Sequence, residues 1–345
     1  MEFSKPLIQW YLQNKRDLPW RKTPHPYPVW LSEIMLQQTR VAQGLPYFLA
    51  FMEAFPTVHD MAAAPEEQVL KLWQGLGYYS RARNLHATAK HVEFELGGNF
   101  PGSYDGLLKL KGVGEYTAAA IASICYGEAV PVVDGNVYRV LSRVFGVETD
   151  ISSSGAKKEF TTRAKTLIPQ NNASEFNQAI MEFGALQCVP KSPDCSICIF
   201  NSVCAAFNTG RVNQLPVKLK KTKVSNRYFN YLVVRDSEGR SIIRKRTGKG
   251  IWHNLYEFPL LETEAEIPES ETIRLINDFK ELGFTPKDIR LINREAIVHK
   301  LSHQHLSIRF WEVAAGEVLE GAVTANALKS YPFPIVLHNF IEKHW

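Results

Sequence analysis

The 345-residue sequence has no apolar run approaching the roughly twenty residues a membrane-spanning helix needs. Its first thirty residues mix Gln, Asn, Lys, Arg and Asp with aromatics and lack a continuous apolar core, so neither a secretory signal nor an anchor is expected. The chain therefore reads as cytoplasmic. Internal repeats and low-complexity segments are not evident. Cysteine is scarce, and four of the five lie within one short stretch, which in a cytoplasmic protein argues for metal rather than disulfides. Acidic residues are missing from Arg211 to Lys223 (RVNQLPVKLKKTK), a cationic segment with one proline that reads as a linker. The net charge of +5 permits nucleic-acid binding without demanding it. With 45% hydrophobic and 22% charged residues the chain is ordinary globular protein, long enough for about two domains.

What is present centres on Leu110 to Arg143 (LKGVGEYTAAAIASICYGEAVPVVDGNVYRVLSR). Gly112 and Gly114 bracket Val113, so the backbone can turn tightly and leave amide N–H groups uncovered, as a phosphate grip requires. A plain interhelical turn would use the same glycines. The following helix is built from small residues, Ala118, Ala119, Ala120 and Ala122 among them, and permits close packing. Asp134 precedes Val137, Val140, Leu141 and Val144, a helical i, i+3, i+4, i+7 repeat, so it reads as an N-cap held ionised by the helix start. Upstream, Val29 to Arg40 (VWLSEIMLQQTR) reads as a helix with Glu33 among Trp30, Leu31, Ile34 and Met35. Glu33 is either a solvent-facing residue or a buried acid kept protonated by desolvation. Two carboxyls held in opposite protonation states are what glycosidic cleavage needs.

Further motifs flank this centre. Ser4 to Leu12 reads as a short amphipathic helix, followed by the basic, aromatic turn Lys15 to Arg21. Trp73 to Arg83 sets Leu76 and Tyr78 between glycines beside Arg81 and Arg83, a build suited to unstacking a base pair while arginines hold phosphates. Cys188, Cys195, Cys198 and Cys204 follow the helix containing Gln178, Glu182 and Phe183, with spacing C-x6-C-x2-C-x5-C; thiolate chemistry leaves zinc and iron–sulfur both open. Cys125 reads as a small core residue. After Lys223, Tyr228 to Arg235, Ser241 to Lys245 and His305 to Val313 read as strands of an α+β domain.

Together these motifs resemble the helix-hairpin-helix DNA glycosylase superfamily, and SEIMLQQT, GLGYYSRAR and the four-cysteine loop are similar to those of its adenine DNA glycosylase branch, the MutY type. The resemblance covers nearly the whole chain, with its pieces in family order. Lys111 stands where the family usually has Pro, and the added cation should favour phosphate. The resemblance implies an all-α helix-hairpin-helix catalytic region with a [4Fe–4S] cluster loop over residues 1–210, a basic linker over 211–224, and a C-terminal α+β Nudix-like domain over 225–345 that recognises 8-oxoguanine. Within GIWHNLYEFP and beyond, that domain lacks the Glu-rich box that would bind Mg²⁺ for pyrophosphate hydrolysis, so it should recognise and not catalyse.

The resemblance also assigns roles. Glu33 protonates the leaving adenine, Asp134 stabilises the oxocarbenium-like sugar, and Tyr116 and Asn136 orient the pair. Cys188, Cys195, Cys198 and Cys204 hold the cluster. Arg16, Trp20, Arg21 and Gln178 belong near the base; Gln38 joins Leu76 and Tyr78 in the wedge; Arg81, Arg83, Lys111, Gly112 and Gly114 contact the DNA backbone. Ser302 and His303 fall where the family has a Phe-Ser-His lesion-contact motif, Leu301 replacing the Phe. The expected substrate is double-stranded DNA with adenine opposite 8-oxoguanine or guanine, and the expected enzyme is a bacterial monomer. Tyr116 argues against a glycosylase-lyase of the endonuclease III type, where a Lys attacks the sugar. A thymine-mismatch glycosylase would lack the Nudix-like half, and a non-catalytic damage binder would not need both Glu33 and Asp134.

Overall fold

Apolar residues at helical spacing dominate the first two-thirds of the chain, and it folds as helices α1 Ser4–Asn14, α2 Pro26–Leu36, α3 Val41–Ala54, α4 Val58–Ala63, α5 Glu66–Leu72, α6 Ser80–Leu96, α7 Tyr104–Leu107, α8 Glu115–Tyr126, α9 Gly135–Phe145, α10 Ala156–Leu167, α11 Ala173–Leu186 and α12 Ala205–Asn208. The computed structural model describes residues 2–219 and 223–345. Two units emerge, Met1–Ala64 with Asn84–Lys220 and Pro65–Arg83 with Lys221–Trp345. No helix of the described residues is long and apolar enough to cross a membrane.

In the first unit the repeat after Asp134 does what its spacing demands: Val137, Val140, Leu141 and Val144 are all buried. They share a core with Ala119 and Ala120 of α8, Phe176, Ile180 and Phe183 of α11, Leu7 and Tyr11 of α1, and Phe3 just before α1. The small side chains of α8 let these helices approach closely. Asn177 of α11, fully buried, accepts from the Val132 amide (3.1 Å) and donates to Val130 O (2.8 Å) and Ser123 Oγ (2.9 Å), fixing the extended segment that leads to Asp134. Helix α2 ends at Leu36, four residues short of the expected end, because Gln37 is extended (ψ 113°) and Gln38 takes the left-handed conformation (φ +57°).

The second unit is built on strands β1 Ser225–Arg235, β2 Arg244–Lys245, β3 Tyr256–Glu257, β4 Leu260–Thr263, β5 Asp288–Leu291, β6 Ile297–Lys300 and β7 Gln304–Ala314, with helices α13 Glu269–Asn277, α14 Ala325–Leu328 and α15 Ile335–His344. The main sheet runs β4-β1-β7-β5, with β6 also on β7; β1 and β7 are parallel and the other pairs antiparallel. Residues 229–234 of β1 are all buried because helices cover both faces. Tyr231 and Phe310 stack on one face under Phe340 of α15, while Leu232, Val234, Trp311 and Val313 meet Ile276 of α13 on the other. The expected strand Ser241 to Lys245 shrinks to Arg244–Lys245, with Ser241 making only an isolated bridge to Val323.

Residues 65–83, expected within the helical region, pack with the second unit, and polar contacts explain why. Glu67 accepts from Lys245 Nζ (2.9 Å) and the Tyr256 hydroxyl (2.8 Å), Lys71 donates to Tyr331 O (3.1 Å), and Arg83 donates to His253 O (2.7 Å). Of the expected linker, Leu215 is buried in the first unit's core and Val217 O accepts from the Ile151 amide (2.9 Å), while residues 220–222 lie outside the described residues.

Candidate active site

Glu33, Tyr116, Asp134, Asn136, Gln178, Arg16, Trp20 and Arg21 all line one cavity of about 660 Å³ in the first unit. Helix α2 supplies Glu33 from a turn whose neighbours Trp30, Leu31, Ile34 and Met35 are buried, so the carboxyl is buried as well. Burial pushes the Glu33 carboxyl up to about 7; a hydrogen bond from Tyr116 and the charge of Arg21 oppose this, and the Asp134 carboxylate adds to it. Tyr116 also donates to Met181 Sδ at 3.1 Å, and burial raises its hydroxyl well above the usual phenol value, so it stays a neutral donor.

Asp134 caps α9 as its sequence position requires, Oδ1 accepting from the Val137 amide at 2.8 Å and Oδ2 from Asn136 Nδ2 at 2.9 Å. Burial nevertheless carries its carboxyl above the ordinary Asp value, against those two donors and the Arg139 charge. The helix start alone does not hold it low, because desolvation outweighs the cap. Between the two carboxyls, donors on both oxygens mark Asp134 as the one that carries the charge and Glu33 as the one that keeps the proton.

Arg16 and Arg21 reach the cavity, with their guanidiniums bound to the buried Glu182 (2.6 to 3.0 Å). Trp20 is buried edge-on against Phe48. Gln178 accepts from the Tyr11 hydroxyl at 3.0 Å. The sequence reading passed over two arginines of α9, Arg139 on the cavity and Arg143 beside the cysteine loop. Arg139 donates to Asn136 Oδ1 (2.8 Å), Gly184 O (2.6 Å) and Cys188 O (2.7 Å); Arg143 donates to Leu215 O, Val189 O and Pro190 O and to Cys188 Sγ (3.5 Å). Their signal was two arginines four apart on a helix whose other repeating residues are apolar.

The hairpin lies outside that cavity's lining. Gly112 has φ +77°, and a Cβ there would stand 2.7 Å from Asn84 Cβ, so both the turn and the approach of α6 require glycine. Thr88 Oγ1 donates to Lys111 O (2.6 Å), the Lys111 side chain is exposed, and Gly114 opens α8 with uncovered amides. Gln38 stands exposed at the turn after α2.

In the second unit a cavity of about 600 Å³ is lined by Tyr78, Arg83, Trp252, His299, Ser302 and His303, among others. The Tyr78 and Ser302 hydroxyls are hydrogen-bonded. Tyr78 is exposed with φ +47°, but Leu76 is buried, so the wedge expected of both has Tyr78 alone at its tip. Arg81 is turned inward too, over the Trp73 ring (5.1 Å) and against Gly77 O (3.2 Å), with burial lowering it to about 10; it holds the loop and not a phosphate.

The four cysteine thiols follow α11, with Cys204 buried and the others half-buried. Thiolates at Cys188, Cys195 and Cys204 would repel a charge on Cys198, whose sulfur accepts from the Phe200 amide at 3.5 Å. Amide donors at sulfur and the Arg143 guanidinium at Cys188 suit an anionic thiolate-ligated group. No three or more His, Cys, Asp or Glu among the described residues are grouped as the ligands of a metal ion.

Residues 31–166 match the family model for HhH-GPD superfamily base excision DNA repair proteins, and 230–343 match that for the NUDIX domain. An adenine DNA glycosylase of Buchnera aphidicola subsp. Schizaphis graminum is 35% identical over 307 residues, covering 89% of this chain and 86% of that protein. The Homo sapiens adenine DNA glycosylase is 46% identical over 222 residues, covering 62% of this chain and 41% of that protein. Among solved structures, a thermostable thymine-DNA glycosylase superposes with a TM-score of 0.56 at 29% identity, covering 60% of this chain and 95% of its own.

Proposed function

Since the chain belongs to the adenine DNA glycosylases of the HhH-GPD base excision repair superfamily, we propose that it hydrolyses the N-glycosidic bond of adenine mispaired with 8-oxoguanine or guanine in duplex DNA. The observation that carries this reading is the pair Glu33 and Asp134 on one cavity, the first with its carboxyl at about 7 and the second with donors on both oxygens. The adenosine is extruded, because the bond is inaccessible within the stack. Glu33 gives its proton to adenine N7, and the C1′–N9 bond breaks with its electron pair leaving on the base. Asp134, held by Val137 and Asn136, stabilises the positive charge on the sugar, and water supplies the hydroxyl at C1′ while its other proton restores the Glu33 acid. Tyr116 steadies Glu33.

A neutral phenol at Tyr116 cannot form a Schiff base with the sugar, which supports a monofunctional enzyme without lyase activity. Cys188, Cys195, Cys198 and Cys204 would hold a [4Fe–4S] cluster, whose four iron–thiolate bonds tie the end of α11 to the loop that follows. Ser302, His303 and Tyr78 read the base opposite the adenine, a role supported by their shared cavity. The test is release of base from duplexes carrying adenine opposite 8-oxoguanine, guanine or thymine, with thymine opposite guanine as the competing substrate. Adenine release with the first two supports the reading. Release of thymine alone, or none with binding retained, overturns it.

A further inference from the structure

Glu182 takes no part in the chemistry above, yet it is built into the same cavity. Its carboxylate accepts from the backbone N–H (2.9 Å), Nε (2.9 Å) and Nη2 (2.6 Å) of Arg16, and from Nη1 (3.0 Å) and Nη2 (2.9 Å) of Arg21. The Glu182 side chain is only 1% exposed, and Arg21 lies over the Tyr11 ring at 5.6 Å. Two guanidiniums therefore border a cavity whose acid has to keep its proton, an arrangement that by itself would ionise that acid.

We propose that Glu182 is a positioning residue that fixes Arg16 and Arg21 and balances their charge, so that Glu33 remains protonated at the pH where the enzyme works. This rests on the reading of Glu33 as the acid. The groups that act on Glu33 are Tyr116 and Cys125 of α8, Asp134 at the start of α9, and Arg21 of the turn Pro19–Arg21; those that act on Arg21 are Tyr11 of α1, Glu182 of α11 and Glu33 itself. Tyr116 and Asp134 belong to the reaction. The Arg21–Glu182 pair can be altered in charge without touching either carboxyl that does the chemistry. With Glu182 ionised, its carboxyl held down to about 2 against burial by the hydrogen bonds of Arg16 and Arg21, the three groups sum to one positive charge. Loss of Glu182 leaves two, and loss of Arg21 leaves none.

The two losses thus act on Glu33 with opposite sign, which a role in shape alone would not produce. The experiment is the pH profile of single-turnover adenine excision with enzyme in excess, over the limb where activity falls as pH rises. Glu182→Gln is expected to move that limb to lower pH by about half a unit or more, roughly a threefold loss of rate on the limb. Arg21→Gln should move it to higher pH, the double variant should return it toward wild type, and Arg21→Lys, which keeps charge and loses the fork, should leave it in place whatever the rate. If Glu182→Gln does not fold, Arg21→Gln against Arg21→Lys still decides. Limbs that coincide, or that move the same way in both single variants while Glu33→Gln is inactive, overturn this proposal and leave the acid intact. An active Glu33→Gln removes the acid itself and this proposal with it.

Discussion

Asn136 donates its side-chain amide to Asp134 Oδ2 at 2.9 Å while its oxygen accepts from Arg139 Nη2 at 2.8 Å, so the amide can face only one way. Reversing it would set two oxygens together and leave the guanidinium facing an NH₂ group. Asn136→Asp is therefore expected to lower single-turnover excision by about a hundredfold or more, because a second anion replaces a donor at the carboxylate that stabilises the sugar. Duplex affinity should change little. Gly184→Ala approaches the same point from α11, since its Cβ would stand 2.7 Å from Asn136 Cβ and 3.1 Å from Asn136 Cα. It should show a milder loss of the same kind; a loss of DNA binding with unchanged excision of bound substrate would contradict both.

Glu33→Gln should abolish excision and spare mismatch binding, because the amide keeps the shape but has no proton for the base. Excision within about tenfold of wild type, roughly 1.4 kcal/mol of barrier, would remove Glu33 from the role. The same carboxyl sets a stability signature. Its folded value near 7 lies above the ordinary glutamate value of about 4.5, so the stability it contributes is complete below about 4.5 and is lost as pH rises from there through about 7. Glu33→Gln escapes that loss. Its melting temperature relative to wild type should rise between pH 4 and 8 by the equivalent of up to about 3 kcal/mol.

Lesion preference should reside in Ser302 and His303. 8-Oxoguanine differs from guanine by a carbonyl oxygen at C8 and a proton on N7, so a hydroxyl can be satisfied by one and left unpaired by the other, a difference of about 1 to 3 kcal/mol. The Ser302→Ala, His303→Ala double variant should lose roughly one to two decades of preference for 8-oxoguanine over guanine while excision chemistry continues. Because Tyr78 shares a hydrogen bond with Ser302, Tyr78→Phe should weaken the preference too. Excision rates on the two duplexes provide the measurement, and an unchanged ratio in the double variant would place recognition elsewhere.

The residues that sequence patterns disclosed are those whose neighbours lie nearby in the chain. Asp134 was legible because a cap and its apolar repeat are local, and Gly112 because a left-handed turn restricts residue type. Glu33 could be placed among apolar neighbours, but its burial depended on α8, more than eighty residues away. Partnerships across the chain left no pattern. Glu182 binds arginines over 160 residues distant, Arg139 and Arg143 are buried by carbonyls of the segment after α11, and residues 65–83 are drawn to the second unit by lone pairs such as Glu67 with Lys245. Leu76 reads like Tyr78 between its glycines, and only packing shows that one faces in and the other out.

Gly112→Ala tests the hairpin apart from the chemistry. The substitution meets a positive φ and Asn84 Cβ at 2.7 Å together, so the turn must shift at a cost of about 1 to 3 kcal/mol. If the turn grips phosphate, affinity should fall by a similar factor on matched and mismatched duplexes alike, with excision of bound substrate nearly unchanged. A loss confined to mismatched DNA would mean that the hairpin reads bases.

The cysteine loop makes the last prediction, and it turns on the number of metals. A single zinc would take four thiolates on one ion and leave the protein colourless, whereas an iron–sulfur cluster held by Cys188, Cys195, Cys198 and Cys204 would colour it. The amide at Cys198 and the guanidinium at Cys188 soften the charge of those sulfurs, as a thiolate-ligated cluster would need. Protein purified without oxygen should be brown, absorb broadly in the visible and carry about four irons per chain. Arg143→Gln, which removes the cation at Cys188 and its bonds to Val189 and Pro190, should lower iron content and hasten its loss in air. Stoichiometric zinc without iron in colourless protein would exclude the cluster, and full iron retention in the variant would show that Arg143 serves the loop's shape and not its charge.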